Sequence, residues 1–184
     1  KELFESYLNG IFETKGDGWE EKKLGEVLNL LYGKPLEESK RKQDGRYPMY
    51  GANGIKGRTD EFYHDRKSII VGRKGSAGEI NLTDEKFWPL DVTYFITFDE
   101  TKYDLMFLYF LLLKQKITKL ARGVKPGINR NEIYEIQVKL PLISEQQNIV
   151  KKLDALSAET KRMEAIYQQK LLNLEELKKS LLQK

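Results

Sequence analysis

The sequence contains no cysteine and only one histidine, His64, and these two absences exclude several kinds of chemistry. Disulfides and thiolate metal sites require cysteine, and most zinc sites and Ser-His or Cys-His catalytic pairs require histidine. The longest apolar run, residues 105–113, is too short to span a bilayer, and no signal peptide is recognisable. We therefore expect a cytoplasmic protein that has no membrane segment and no metal or other cofactor. The chain does not begin with Met, which suggests a piece of a longer protein.

The composition is that of a folded chain with a mild excess of positive charge. A length of 184 residues with 40% hydrophobic content suffices for one full core plus an extension, or for two very small domains. The formal net charge of +4 and the pI near 9.0 favour anionic partners. The charge is nevertheless too small for a nonspecific polybasic nucleic-acid coat.

Glycine and proline are also absent from residues 144–184, where apolar residues recur with 4-3 spacing. Ser144 as N-cap with Gln147 as its capping-box partner predicts the start of a helix. An unbroken helix of about 40 residues, roughly 60 Å long, is expected. Its narrow apolar stripe, interrupted only by Thr160 and Lys170, is typical of a coiled coil. The predicted seam consists of Ile149, Leu153, Leu156, Met163, Tyr167, Leu174, Leu177 and Leu181.

The amino-acid sequence of this helix resembles that of a known family. The run Leu140–Asp154 is similar to the start of the conserved helical region of DNA specificity subunits in type I restriction–modification systems, and Leu174–Lys184 is similar to its far end. The segment Gly18–Val27 resembles the beginning of a target-recognition domain in that family. The resemblance implies two similar halves, each a recognition domain followed by a helix. It further implies a methyltransferase subunit that carries S-adenosylmethionine and a motor-nuclease restriction subunit as partners.

The beginning of the chain has two possible interpretations. Residues 2–12 form an amphipathic pattern, and four residues of Glu2–Leu8 coincide with those of Glu176–Leu182. The segment is either the tail of a preceding conserved helix or an unrelated helix packed on the domain. We predict a short helix in residues 1–14, a target-recognition domain in 15–143 and a coiled-coil helix in 144–184.

The predicted recognition domain is of mixed α+β class. Strands are expected at residues 68–71, 92–98 and 136–140, and a helix at 103–121. The many short turns argue against a doubly wound parallel sheet.

Three glycine-containing segments, residues 51–58, 72–78 and 122–131, carry the candidate binding residues. A nucleotide-binding loop is excluded because Gly78 is followed by a strand-like run and the Gly-Lys-Ser/Thr motif is missing. We predict turns that present cations and amides to DNA, since Arg and Lys pair with guanine and Asn with adenine. The candidate DNA-binding residues are Tyr47, Tyr50, Asn53, Lys56, Arg58, Arg73, Lys74, Ser76, Arg122, Lys125, Asn129 and Arg130.

Little in the sequence favours an enzyme. The acidic pairs Asp60-Glu61 and Asp84-Glu85 are adjacent in sequence, so on a strand their carboxylates would point to opposite faces. We therefore predict a noncatalytic subunit that reads one half of a split double-stranded DNA target. Its long helix would pair antiparallel with another copy or with a second half. The alternatives are a coiled-coil adaptor that binds protein or RNA and, less favoured, a small nuclease or methyltransferase.

Overall fold

A computed structural model describes residues 2–13 and 18–182, which form a mixed α+β fold with a long C-terminal helix, as predicted. The helices are α1 (Glu2–Glu13), α2 (Leu24–Val27), α3 (Leu105–Gln115), α4 (Arg130–Tyr134) and α5 (Ile143–Leu182). The strands are β1 (Glu20–Lys23), β2 (Leu28–Tyr32), β3 (Tyr47–Gly51), β4 (Gly54–Thr59), β5 (Ser68–Gly72), β6 (Ile80–Thr83), β7 (Trp88–Pro89), β8 (Thr93–Phe98) and β9 (Gln137–Leu140). Short 3-10 turns occupy Glu38–Lys40 and Ile117–Leu120.

The largest sheet has the strand order β2-β8-β5-β6, and its neighbouring strands are antiparallel. Tyr32 lies opposite Tyr94, and Gly72 lies opposite Thr93. The carboxyl ends of β2 and β5 and the amino end of β8 therefore meet at one edge of this sheet.

Strand β5 is buried on both faces, as its uninterrupted apolar sequence predicts. Ile69 and Val71 belong to the main core together with α3, whereas Ile70 packs with Tyr50 and other aromatic rings on the opposite face. The smaller sheet β4-β3-β7 contributes to that second face, and β1 pairs with β9 in a separate ribbon. The domain thus has a core on each side of its central strand.

The helix predicted for residues 103–121 is shorter than expected. It begins after Asp104, whose side chain accepts a hydrogen bond from the Phe107 amide (3.0 Å), and ends at Gln115. Lys116 then adopts a left-handed conformation (φ 49°), which redirects the chain so that Ile117 enters the core. The turn after Lys116 packs closely against Gly78, where a Cβ atom would lie 2.5 Å from the Thr118 backbone.

The predicted capping box of the long helix is wrong, because α5 begins at Ile143 and places Ser144 inside its first turn. A buried polar residue at this junction is Gln146, which is 1% exposed. Its Nε2 donates to the carbonyl oxygens of Lys102 (3.0 Å) and Pro141 (2.9 Å), and its Oε1 accepts from the Asp104 amide (2.9 Å). One glutamine therefore ties the start of α5 to the start of α3.

Helix α1 packs against both α3 and α5. The rings of Phe4 and Phe110 are 6.0 Å apart, and those of Phe12 and Phe107 are 5.4 Å apart. These contacts fit both interpretations of α1. In the matching segment Glu176–Leu182, the side chains of Leu177, Ser180 and Leu182 are outside the described residues. In the described part of the chain, every helix is too short or too polar to cross a bilayer.

Candidate nucleic-acid interface

Backbone hydrogen bonds join two of the three glycine-containing segments. The amide of Gly75 donates to the Pro126 carbonyl (2.9 Å), and the amide of Ile128 donates to the Arg73 carbonyl (3.0 Å). A β-bridge between Lys74 and Gly127 lies between these two bonds. Segments 72–78 and 122–131, which are far apart in sequence, therefore form one continuous backbone surface.

The segment 51–58 abuts the same surface. It forms the β3–β4 hairpin, whose turn contains Ala52 and the exposed Asn53. A Cβ atom at position 72 would lie 2.7 Å from the Ala52 carbonyl oxygen and 2.1 Å from that of Ser76. Glycine at position 72 permits this close approach of two backbones. All three segments are thus adjacent at the edge of the large sheet where β5 ends.

An aromatic residue absent from the predicted set lies at the same edge. Tyr32, the last residue of β2, is 47% exposed, and its ring lies beneath two guanidinium groups. The guanidinium carbon of Arg73 is 5.4 Å from the ring centroid, and that of Arg130 is 4.8 Å from it. No local motif identifies Tyr32, because its neighbours come from strands and loops elsewhere in the chain. Only the strand register would have revealed it.

Most of the predicted DNA-binding residues are at least partly exposed. The polar side chains of Asn53, Lys56, Lys74, Arg122, Lys125 and Asn129 are exposed, whereas those of Arg73, Ser76 and Arg130 are half-buried. Among the exposed residues, Asn129 and Arg122 also have a structural role. The Asn129 side chain accepts from the Asn131 amide (3.0 Å) and caps α4, and Arg122 Nη1 donates to the Lys119 carbonyl (2.9 Å).

One predicted contact, Tyr50, needs correction, and two others, Arg58 and Tyr47, also have structural contacts. Tyr50 is buried at 6% exposure with its ring edge-to-face on Phe87 (5.8 Å), so the ring belongs to the core. Arg58 donates to the carbonyls of Gly45 (2.6 Å) and Arg46 (2.7 Å), and so braces a loop. Tyr47 is half-buried beside Phe62, with a distance of 5.2 Å between ring centroids. The pattern of residue types in the sequence does not separate such bracing residues from free ones.

Burial shifts the pKa values of two aromatic residues near the central strand. Burial raises the pKa of Tyr94, and its hydroxyl donates a hydrogen bond to the Ile128 carbonyl (3.1 Å). This bond connects the sheet to segment 122–131. His64 lies between the rings of Phe87 and Phe95, and desolvation by burial lowers its pKa. Among the described residues, no cluster of histidine and carboxylate side chains could hold a metal ion.

The predicted coiled-coil seam divides into two parts. Ile149 and Leu153 are 7% and 0% exposed and belong to the domain's own core, which corrects their assignment to a partner interface. Leu156 is half-buried. Farther along α5, large apolar side chains are 41–62% exposed. This distal stripe consists of Met163, Ile166, Tyr167, Leu171 and Leu174. The side chains of Leu177 and Leu181 are outside the described residues.

Comparison with known proteins identifies the family. A family model described as the type I restriction modification DNA specificity domain matches residues 16–173. A putative type I restriction enzyme specificity subunit of Haemophilus influenzae is 29% identical over 95% of this chain and 51% of its own length. The EcoDI specificity subunit of Escherichia coli is 32% identical over 82% of this chain and 34% of its own length. The chain spans about half or less of these relatives.

Solved structures share the fold. The S subunit of a type I restriction–modification system from M. genitalium superposes with a TM-score of 0.71 at 23% identity, covering 82% of this chain and 42% of that one. A chain from a structural study of complex assembly in the type I R-M system gives a TM-score of 0.75 at 19% identity, covering 94% and 48%. Because the family model matches most of this chain, the chain belongs to the type I restriction modification DNA specificity domain family.

Proposed function

We propose that this chain is a noncatalytic, sequence-specific subunit that recognises double-stranded DNA within a type I restriction–modification complex. It would read one half of a bipartite target, since it contains one domain and one long helix and spans about half of its relatives. Family membership supports the general role. The observation that carries the DNA contact is the convergence of three cation-bearing segments at one edge of the large sheet.

The chemistry of this edge suits a nucleic acid. Segments 72–78 and 122–131 bring Arg73, Lys74, Arg122, Lys125 and Arg130 to a common backbone surface. No ion pair to Lys74 or Lys125 is found among the described residues, so both ammonium groups can bind phosphates without breaking an existing pair. Side chains that position the protein on phosphates and others that reach base edges are both required for sequence recognition.

The distal stripe of α5 would set the distance between two recognition domains. We propose that it pairs antiparallel with another copy or with a second half of the same protein. A rigid pair of helices would hold two recognition domains at a fixed distance, which matches the geometric spacing that bipartite targets require. Methyltransferase and restriction subunits would dock on this assembly and perform the catalysis, with S-adenosylmethionine bound by the methyltransferase.

The proposal is tested by selection from a randomised duplex library. The chain is used alone and mixed with its methyltransferase subunit, at two salt concentrations. We expect enrichment of a short motif, repeated as two half-sites at fixed spacing. Binding without an enriched motif, or an absence of binding, would overturn the proposal.

Matched lysine variants then locate the contact. In Lys74→Ala with Lys125→Ala, we expect weaker binding and a salt dependence shallower by about one for each phosphate that is no longer neutralised. The control is Lys67→Ala, because Lys67 is also exposed but precedes β5 at its other end, in a cavity that includes Asp84 and Glu100. Equal affinities of the double variant and the control would place the interface elsewhere.

A coiled-coil adaptor is the second candidate, and the exposed distal stripe favours it. An adaptor would assemble through α5 but bind duplex DNA no better after mixing with its partner subunit. The library selection distinguishes the two candidates because only the first predicts an enriched motif.

A further inference from the structure

We infer that Tyr32 is a positioning residue of the DNA interface, and that its ring holds the guanidinium groups of Arg73 and Arg130 at the contact surface. The inference rests on the proposed function, to which it adds a residue and a role. It is argued from the support of the ring, the restraint of the two arginines and their lack of a carboxylate partner.

The ring of Tyr32 is supported by the sheet and stays partly exposed. Its backbone is held by the pairing of β2 with β8, in which Tyr32 lies opposite Tyr94. The two rings are 5.1 Å apart at an interplanar angle of 59°, and Tyr94 is buried at 2% exposure. An aromatic ring that keeps 47% exposure on such a support forms a rigid platform at the surface.

Each arginine is restrained twice. Arg73 donates through Nε and Nη2 to the Asp91 carbonyl, and Arg130 donates through Nη1 to the Leu30 carbonyl (3.0 Å). The ring of Tyr32 provides the second contact, at 5.4 Å and 4.8 Å from the two guanidinium carbons. These two guanidinium carbons are consequently no more than 10.2 Å apart, the sum of the two distances. The two groups are therefore close enough together to contact one short stretch of DNA.

The positive charges of both groups remain uncompensated by side chains. Within the described residues their partners are carbonyl oxygens, and neither guanidinium is within salt-bridge distance of a carboxylate. Arg73 Nη1 and Arg130 Nη2 make no hydrogen bond in this part of the chain, so both can donate to phosphate or guanine acceptors. Because the two groups are already held in place, binding restricts few additional side-chain rotations.

The test compares three variants of neighbouring residues on the duplex that the library selection enriches. Tyr32→Leu removes the aromatic face, and we expect binding weaker by about 5- to 30-fold with a shallower salt dependence. Tyr32→Phe keeps the ring and should restore affinity to within about 2-fold of the unmodified chain. Leu31→Ala alters the adjacent exposed side chain, 40% exposed, and should leave affinity unchanged.

A double-mutant cycle separates positioning from a general loss of structure. Combining Tyr32→Leu with Arg73→Gln should weaken binding by less than the product of the two single effects, because both remove the same interaction. Thermal unfolding of each variant serves as the folding control. If the unmodified chain enriches a motif and Tyr32→Leu binds it as tightly as Leu31→Ala does, the inference about Tyr32 is wrong and the proposed function stands. If no motif is enriched, the proposed function fails first.

Discussion

The two ends of helix α5 carry the same apolar pattern in different surroundings. Near its start, Ile149 and Leu153 are buried in the core of the recognition domain. Toward its far end, Tyr167 and Leu174 are 59% and 62% exposed. A 4-3 repeat therefore identifies a stripe on a helix but does not identify what covers it. The proximal end is an element of the domain, whereas the distal end leaves its apolar stripe exposed.

The largest expected effect comes from the proximal end. Leu153→Ala should lower the free energy of unfolding by about 2–5 kcal/mol, because it opens a cavity in the core. Leu174→Ala, a matched change at the distal end, should change it by about 0.5 kcal/mol or less in the dissociated chain. Urea denaturation at low protein concentration measures both. Equal losses in the two variants would show that the two ends do not differ.

The next effect concerns association. Replacing Leu171 and Leu174 together by lysine should abolish self-association, since two charges would be placed in an apolar seam. The domain should unfold at an unchanged temperature because both side chains are exposed. Sedimentation velocity across a range of concentrations gives the readout, with Gln168→Lys as an exposed control on the same helix. Persistence of the oligomer in the double variant would eliminate the distal stripe as the interface.

A smaller effect is expected at the junction between domain and helix. Gln146→Leu keeps the bulk of the side chain but leaves the carbonyls of Lys102 and Pro141 without this donor. We expect a loss of about 1–3 kcal/mol in the free energy of unfolding. Gln147→Leu changes the exposed neighbour and should be nearly neutral. If both variants are neutral, water replaces the amide and the junction does not depend on Gln146.

Sequence reasoning succeeded where the signal is local. Strands β5 and β8 follow from β-branched and aromatic runs, and α5 follows from a long stretch without glycine or proline. It was wrong where tertiary contacts decide the outcome. The left-handed Lys116 ends α3 as Ile117 enters the core, and α5 begins one residue before the predicted serine cap, at a junction that the buried Gln146 side chain ties to α3.

For the candidate site, residue types were easier to predict than surroundings. The cations of segments 72–78 and 122–131 were identified from composition and spacing, but the hydrogen bonds between these segments were not. Tyr50 and Arg58 have the residue types of a DNA interface, yet one is buried and the other braces a loop. Tyr32 gave no signal, because its two arginines are remote from it in sequence.

If α5 sets the distance between two recognition domains, as proposed, the buried amide of Gln146 has a mechanical consequence. From this residue to Leu182, a straight helix at 1.5 Å per residue is a lever arm of about 54 Å. A tilt of about 5° at the junction would displace its tip by about 5 Å, more than the ~3.4 Å rise of one base pair. Three hydrogen bonds to one side chain thus limit the angular tolerance of the helix. The precision of any spacing set by α5 therefore depends on the hydrogen bonds of Gln146 at the start of the helix.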